Sequence, residues 1–457
     1  MQDFPAKNTG LEASFLWALQ NVEESANLCV ALSGGRDSVV LLHAAVQLAP
    51  DRVRASHVHH GLHPDADHWA EHCQLLCERL QVPLSVQRVT VDPNHPQGLE
   101  AAARDVRYAA LRSELEPAEV LLTAHHEQDQ LETFMLQLFR GAGVAGLAAM
   151  PLVQVRDEVV HLRPLLHVPA ELVEDYALQH RLEWIEDPSN ADHQFDRNYL
   201  RHKILPLIAE RWPSAARSVS RAARLNAVAA DLQTELAQLD LADDAGLMWV
   251  SIDILRSLTA ARQANVVRYL LRLWQLPVPS EAQLHQALSN LLTPLEDRQP
   301  EGCWPGVRVR RYCDRLWFFR AAEDPVMSMA NAPAEYSWLP GELLDMGPVR
   351  GVLESGTSNG GGIAAKWFAG PLQVKFRRGG ETIRPASEAA NRKLKKLLQE
   401  NDIFPWMRCH IPLVYAEDRL LAVGDLWVDA DASAGAGEPG YLISWRNHEP
   451  IHMPSGL

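Results

Sequence analysis

Residues 28–42 read LCVALSGGRDSVVLL. Leu28 to Leu32 is short and shows no polar alternation, which suits a strand covered on both faces. From Val39 the run VVLLHAAVQL is apolar enough and long enough for a buried helix. Between them the backbone must turn sharply. Gly34 and Gly35 permit the turn and let a ligand come close to the main chain. Free N–H groups opening the helix, helped by its dipole, form an anion site. Ser33 and Ser38 add hydroxyls, and Arg36 lies within the same loop. A carboxylate at Asp37 repels phosphate unless a divalent cation stands between them, so Asp37 points to Mg²⁺.

Working outward, the first 180 residues alternate strand-like and helix-like runs. LCVAL (28–32), VRASHV (53–58), PLSVQRVTV (83–91) and EVLLTA (119–124) read as strands, with helical patterns such as 98–115 between them. That alternation predicts an α/β fold, a doubly wound parallel sheet with its ligands at the carboxyl ends of the strands. Residues 214–300 read as helical, 306–320 alternates like a strand pair, and a small mixed α/β region follows the loop at 355–362. The expected division is 1–213, 214–325 and 335–457, consistent with 457 residues.

Composition narrows the function classes. Hydrophobic residues make up 47% of the chain and the formal net charge is −15, so any nucleic-acid contact must use local basic patches. The six cysteines form no disulfide framework. Cys73 and Cys77 are spaced CxxxC and read as core on one helical face. There is no apolar leader pattern at the N-terminus and no 18-residue apolar run, so the expectation is a soluble, cytoplasmic protein without a membrane.

Other motifs need their context. GAGVAG (141–146) has GxGxxG spacing but follows a helical run, not a strand. GVLESGTS (351–358) has Thr357 where a Walker lysine would stand. HVHHGLHPDADH (57–68) has neither zincin nor Cys/His zinc spacing and sits just after a strand, where a nucleotide-site loop fits. AHHEQDQLETFMLQLFRG (124–141) is more telling. As a helix it places His125, Asp129 and Glu132 at i, i+4 and i+7, with Leu131, Phe134, Met135 and Leu138 as a separate apolar stripe. EDPSNADHQFDRNYLRHKILP (186–206) starts as a turn and becomes helical, with Arg197 and Arg201 at i, i+4. From Arg197 to Arg224 the net charge is +6, with Arg217, Arg221 and Arg224 on one helical face. A second island of +6 spans 375–396. In an acidic chain both read as phosphate-backbone contacts.

These segments together carry a resemblance. SGGRDS (33–38) resembles the PP-loop of the N-type ATP pyrophosphatases, which cleave ATP to AMP and pyrophosphate. HVHHGLH (57–63), TAHHEQDQLET (123–133), RGAGVAGLAAM (140–150), DPSNADHQFDRNYLR (187–201), FRRGGETIRP (376–385), RKLKKLLQE (392–400) and FPWMR (404–408) resemble, in order, the signatures of one branch, the tRNA(Ile)-lysidine synthase family. Two positions depart from it: Gln128 stands where the family usually has an acidic residue, and His63 where it tends to have Arg.

The resemblance implies that ATP adenylates the carbonyl oxygen at carbon 2 of the cytidine at the first anticodon position of an isoleucine tRNA. The ε-amine of L-lysine then displaces AMP. It implies ATP contacts from Ser33, Gly34, Gly35, Arg36, Asp37 and Ser38, joined by His59, Arg104 and Arg107, with Mg²⁺ on Asp37. Catalysis falls to Asp37, His125, Asp129, Glu132 and Arg197. Asp129 and Glu132 are the candidate lysine anchor and base, in either assignment, and Glu132, farther from the phosphate loop, is expected to serve the lysine step. Arg201, Arg217, Arg221, Arg224, Arg377, Arg378, Arg392, Lys393, Lys395 and Lys396 are expected to hold tRNA. A homodimer is left open. The alternatives are a PP-loop tRNA thiolase, which would need catalytic cysteines, a small-molecule synthetase, and a non-catalytic RNA-binding protein.

Overall fold

The structure is a computed structural model that describes residues 10–92, 95, 98–188, 194–242, 245–246, 248–293, 300–326 and 333–452. The chain divides into two compact units, 1–233 and 234–457.

The first unit is built on a six-stranded sheet: β1 (Leu28–Ala31), β2 (Val53–His59), β3 (Leu84–Arg88), β4 (Val120–Leu122), β5 (Val153–Arg156) and β6 (Val159–Leu162). Their order is β3-β2-β1-β4-β6-β5, and all neighbours are parallel except the antiparallel β5–β6 pair. β1 is central, with Leu28 opposite Val53 on one side and Val120 on the other. The chain winds to one side through β2 and β3 and returns to the other side at β4. The carboxyl ends of β1 and β4 therefore flank the switch point where such sheets bind ligands.

The helices that accompany this sheet are α1 (Leu11–Leu19), α2 (Arg36–Leu48), α3 (Ala66–Leu80), α4 (Leu99–Ser113), α5 (Glu127–Phe139), α6 (Val144–Leu147), α7 (Ala170–Gln179), α8 (Asp196–Tyr199) and α9 (Leu205–Arg211). A π turn (Leu200–Ile204) joins α8 to α9, and the long α10 runs from Ala215 to Leu241. The apolar runs flanking the opening loop are the heart of the core. Leu28, Val30 and Val39 to Leu42 are wholly buried, packed with Phe15, Leu122 and Leu162. GAGVAG forms a tight turn into the one-turn α6, with Gly143 preceding it.

The unit boundary falls inside α10. In the second unit, helices at Ile252–Ser257, Ala260–Leu273 and Glu281–Leu292 accompany a five-stranded antiparallel sheet that includes Val307–Tyr312 and Arg315–Arg320. The 306–320 strand pair is thus present, while its neighbour Trp249–Ser251 is too short for alternation to show. A second five-stranded sheet and a four-stranded sheet follow from residue 335. Phe404 and Trp406 of FPWMR are buried and stack at 4.8 Å between centroids, with Phe404 edge-on to Trp317 at 4.8 Å. This motif is core.

Candidate active site

β1 ends at Ala31 and α2 begins at Arg36, so Ser33 to Gly35 cross the carboxyl end of the central strand. Gly34 has φ +86°, and a Cβ there would lie 3.2 Å from Cys73 Sγ and 3.3 Å from Ile185 Cδ1. Only glycine meets both demands. Gly34's carbonyl accepts from the Ile185 N–H at 2.9 Å, which ties the loop to the segment after α7. The Ser38 hydroxyl donates to the Gly35 carbonyl at 2.8 Å, so Ser33 is the donor in the 3.0 Å contact between the two hydroxyls. The Ser33 N–H donates to Ser38 Oγ at 3.2 Å. The serines thus brace the turn, which leaves the helix-opening N–H groups of α2 as the candidate anion donors.

Asp37 sits on the first turn of α2, its side chain about a third exposed. Arg36 Nε donates to its Oδ1 at 3.0 Å, and His126 Nε2 lies 3.4 Å from its Oδ2. Burial alone would raise this carboxyl's pKa, but the His126 hydrogen bond and the charges of His126 and Arg36 bring it below the usual value. His126 shifts upward: burial opposes its charge, and Asp37 and Asp129 outweigh burial.

The helix that carries the second motif starts later than its spacing suggests. α5 opens at Glu127, and His126 is its N-cap. Its Nδ1 accepts from the Gln128 N–H at 3.2 Å, while Asp129 Oδ2 accepts from the His126 N–H at 3.0 Å. This closes a capping box. Asp129 and Glu132 do share a face. Arg201 Nη2 donates to Asp129 Oδ1 at 3.2 Å. Glu132 is wholly buried and accepts from Arg201 Nε at 2.6 Å, from Arg201 Nη2 at 2.9 Å and from Arg197 Nε at 2.8 Å. Asp37, His126, Asp129, Arg201, Glu132 and Arg197 thus form one connected chain of charge. Arg201 lies in the π turn, an irregularity often found at functional sites. Its pKa is raised: burial opposes its charge, and the bond to Glu132 prevails.

His125 does not lie on α5. It precedes the cap and faces another way, with Nδ1 2.9 Å from Thr123 Oγ1. Burial holds its pKa well below the ordinary value, and the charges of Arg163, Arg104 and Arg197 lower it further. Arg104 is therefore near the histidine, its guanidinium 5.0 Å from the Tyr108 ring centroid. Arg107, on the same helix, acts on His60, which Asp187 also faces. His59 is buried between Arg88, 3.3 Å away, and Asp67, 3.2 Å away, on the β3 side. His57 comes nearer the anion loop, its Nδ1 donating to the Leu32 carbonyl at 2.8 Å. His63 stacks on Trp69 at 4.8 Å. Arg217 and Arg221 are exposed on α10, and Arg217 acts on the buried Glu127, whereas Arg224 acts on His167.

The second basic island belongs to the other unit. Arg378, Lys393, Lys395 and Lys396 are exposed. Arg392 is bound to Glu388 at 2.7 Å and Glu400 at 2.5 Å, and Arg377 faces Glu381 at 3.7 Å. Residues 189–193 of the 187–201 motif lie outside the described residues. Among the described residues, no group of three or more His, Cys, Asp or Glu side chains could hold a metal ion, and no helix is long and apolar enough to cross a membrane. Sequence reasoning missed His126, Thr123, His161 and Arg163. The paired histidines at the end of β4 were the visible signal for the first.

A parallel sheet with a glycine-tight anion loop at its switch point, and a charged chain leading away from it, defines a PP-loop ATP-using enzyme. Residues 8–208 match the model of the PP-loop domain, 251–317 that of the TilS substrate binding domain, and 372–445 that of the TilS substrate C-terminal domain. The chain is 38% identical over 415 residues to the tRNA(Ile)-lysidine synthase of Coxiella burnetii, covering 89% of this chain and 90% of that one. It is 40% identical over 425 residues to that of Alkalilimnicola ehrlichii, covering 92% and 94%, and 38% identical over 457 residues to that of Pseudomonas aeruginosa, covering 95% and 97%. The chain belongs to the tRNA(Ile)-lysidine synthase family.

Proposed function

We propose that this chain joins L-lysine to carbon 2 of the first anticodon cytidine of an isoleucine tRNA, at the expense of ATP, through the charged chain that starts at Asp37. The carrying observation is that Asp37, on the anion loop, is connected through His126 and Asp129 to the Arg201–Glu132–Arg197 cluster. A phosphate-binding nest and a cationic group are thereby held on one framework.

In the first step the cytosine O2 attacks the α-phosphorus of ATP, an O–P bond forms, and the bond to pyrophosphate breaks. The α2 N–H groups and loop receive the departing phosphates. Arg197 offsets charge gathering on the α-phosphate. Asp37 fits Mg²⁺ as a single, partly exposed carboxylate beside the nest, the arrangement Mg²⁺ adopts when phosphates and water supply its other ligands. When bound there, the ion supplies charge neutralisation to the phosphates. In the second step the lysine ε-ammonium gives a proton to Asp129, the amine forms a C–N bond at carbon 2, and the bond from carbon 2 to the adenylyl oxygen breaks as AMP leaves. The target base lies in a single-stranded loop, which keeps the cost of unstacking low. Arg201, Arg217, Arg221, Arg224, Arg378, Lys393, Lys395 and Lys396 supply cations for the tRNA backbone.

A thiolase would need a reactive thiol beside the PP-loop, and the three cysteines of the first unit are buried, Cys29 and Cys73 with pKa values pushed up to about 12 and Cys77 to about 11. The test is AMP release from ATP with and without lysine and tRNA. Release that needs both supports the reading. Release independent of lysine overturns it.

A further inference from the structure

Thr123 stands at the end of β4, and its hydroxyl lies between two imidazoles. Oγ1 is 2.8 Å from His161 Nε2 and 2.9 Å from His125 Nδ1. His161 lies beside β4 in the sheet, on β6. Its other ring nitrogen, Nδ1, is 3.2 Å from Nη2 of Arg163, which also donates to Gln154 Oε1 at 3.1 Å, while Nη1 donates to the Pro151 carbonyl at 2.8 Å. Arg163 and His161 are both buried.

The proton count at each group fixes a direction along these bonds. A guanidinium can only donate, so His161 Nδ1 must accept and carries no proton. Burial and the adjoining Arg163 bring the His161 pKa down to about 3, so the ring is neutral and its one proton is on Nε2. That N–H donates to Thr123 Oγ1. The single hydroxyl proton of Thr123 is then directed at His125 Nδ1. His125 is kept neutral by burial and by Arg163, Arg104 and Arg197, so its proton resides on Nε2.

We propose that Arg163, His161 and Thr123 are positioning residues that lock His125 as a neutral Nε2–H donor, and that this N–H binds an oxygen of the adenylyl group during transfer. The inference rests on the proposed function. It replaces acid or base chemistry at His125 with a fixed hydrogen bond: one ring nitrogen is occupied by Thr123, and the other already carries its proton. The surroundings suit an anionic partner, because Arg104 and Arg197 act on the same ring. A preorganised donor in such a place contributes to the transition state without reorganising.

The test uses the full chain labelled with ¹⁵N-histidine, with His125 assigned by difference from His125→Gln. Two-bond ¹H–¹⁵N correlations report which ring nitrogen is protonated. The expected result is Nε2–H for His125, turning into a mixture of tautomers in Thr123→Val. Single-turnover formation of the AMP–tRNA adduct should slow by about tenfold or more in Thr123→Val, with the tRNA dissociation constant unchanged, and Thr123→Ser should restore most of the loss. An Nδ1–H signature for His125 in the wild-type chain overturns the proposal whatever the variants do. So does a Thr123→Val chain that forms adduct at the wild-type rate. If the wild-type chain forms no adduct at all, the proposed function itself fails, and the tautomer measurement still decides the relay.

Discussion

The carboxylate of Glu132, with no exposed surface, accepts from Nε of Arg197 at 2.8 Å. Its two oxygens are also bound by Arg201. Spacing alone makes Glu132 a candidate to receive lysine. In the structure it is committed to two guanidiniums and sets where they stand. Glu132→Gln should therefore impair adenylation as well as lysine transfer, because it releases Arg197 and Arg201 from their common anchor. Removing one partner of a buried ion pair costs about 3–5 kcal/mol; partial exposure of both arginines places this case near the low end. Single-turnover trapping of labelled adduct, followed by a lysine chase, checks it. Normal adduct formation with lost lysidine would return Glu132 to the lysine step.

Asp37 is the carboxylate nearest the nest, and its environment keeps it ionised. Asp37→Ala removes no core side chain, so folding should survive while pyrophosphate release falls by orders of magnitude. Raising Mg²⁺ should not recover it. Near-normal release at ordinary Mg²⁺ would show that the carboxylate does not hold the ion.

The two loop glycines separate shape from function. Gly34 combines φ +86° with Cys73 and Ile185 within 3.3 Å of a Cβ, so Gly34→Ala should cost stability, by about 1–3 kcal/mol. Gly35 has φ −75° and room, with Ser33 Oγ no closer than 3.5 Å to a Cβ. Gly35→Ala should fold within about 1 kcal/mol of wild type and lose ATP affinity instead, because a methyl group then stands at the helix-opening N–H groups. Urea midpoints and ATP titrations on both variants distinguish the effects. Equal stability losses would remove the distinction.

How much was legible follows from what each signal depends on. The sheet and its anion loop were visible because LCVAL, SGGRDS and VVLL are contiguous, so burial and turning are dictated locally. The grouping of Asp129, Glu132, Arg197 and Arg201 was partly visible, since the i, i+3 and i, i+4 spacings are local. That Glu132 joins the two arginines was not, because those residues lie 65 and 69 positions away. The placement of His125 failed because α5 opens two residues later, at Glu127. His126, not a helical residue, caps α5, and that displacement sends the two neighbouring histidines to different partners. His161 and Arg163 left no motif, because their role depends on β6 pairing with β4.

The C-terminal island should bind through the cations that the fold leaves on its surface. Arg392 is engaged by Glu388 and Glu400, so reversing it would disturb the fold. Arg378→Glu, Lys393→Glu and Lys395→Glu together should weaken tRNA binding and lower the log–log salt slope by about one for each phosphate no longer neutralised. ATP affinity should hold. A tRNA dissociation constant that is unchanged at two salt concentrations would assign this surface to solvent.

Acid should destabilise the first unit through histidines that are buried without charge. His161 has its pKa pushed down to about 3, first by burial and then by Arg163, and His167 to about 4, by burial and then by Arg224. In the unfolded chain both return to about 6.5. Between those values the unfolded state binds more protons than the folded one, so stability rises with pH. The stability these neutral rings contribute is complete above about pH 6.5. It is lost progressively as pH falls, and the loss from His161 continues to about pH 3. His161→Gln keeps a donor for Thr123 and an acceptor for Arg163 but cannot titrate. The urea midpoint of the wild-type chain should therefore drop between about pH 7.5 and about pH 5 more than that of His161→Gln, when the first unit is followed by a probe confined to it. Parallel pH dependences would mean that His161 titrates in the folded state as it does in the unfolded chain, and its protonated Nδ1 would then face the Arg163 guanidinium donor to donor, breaking that link.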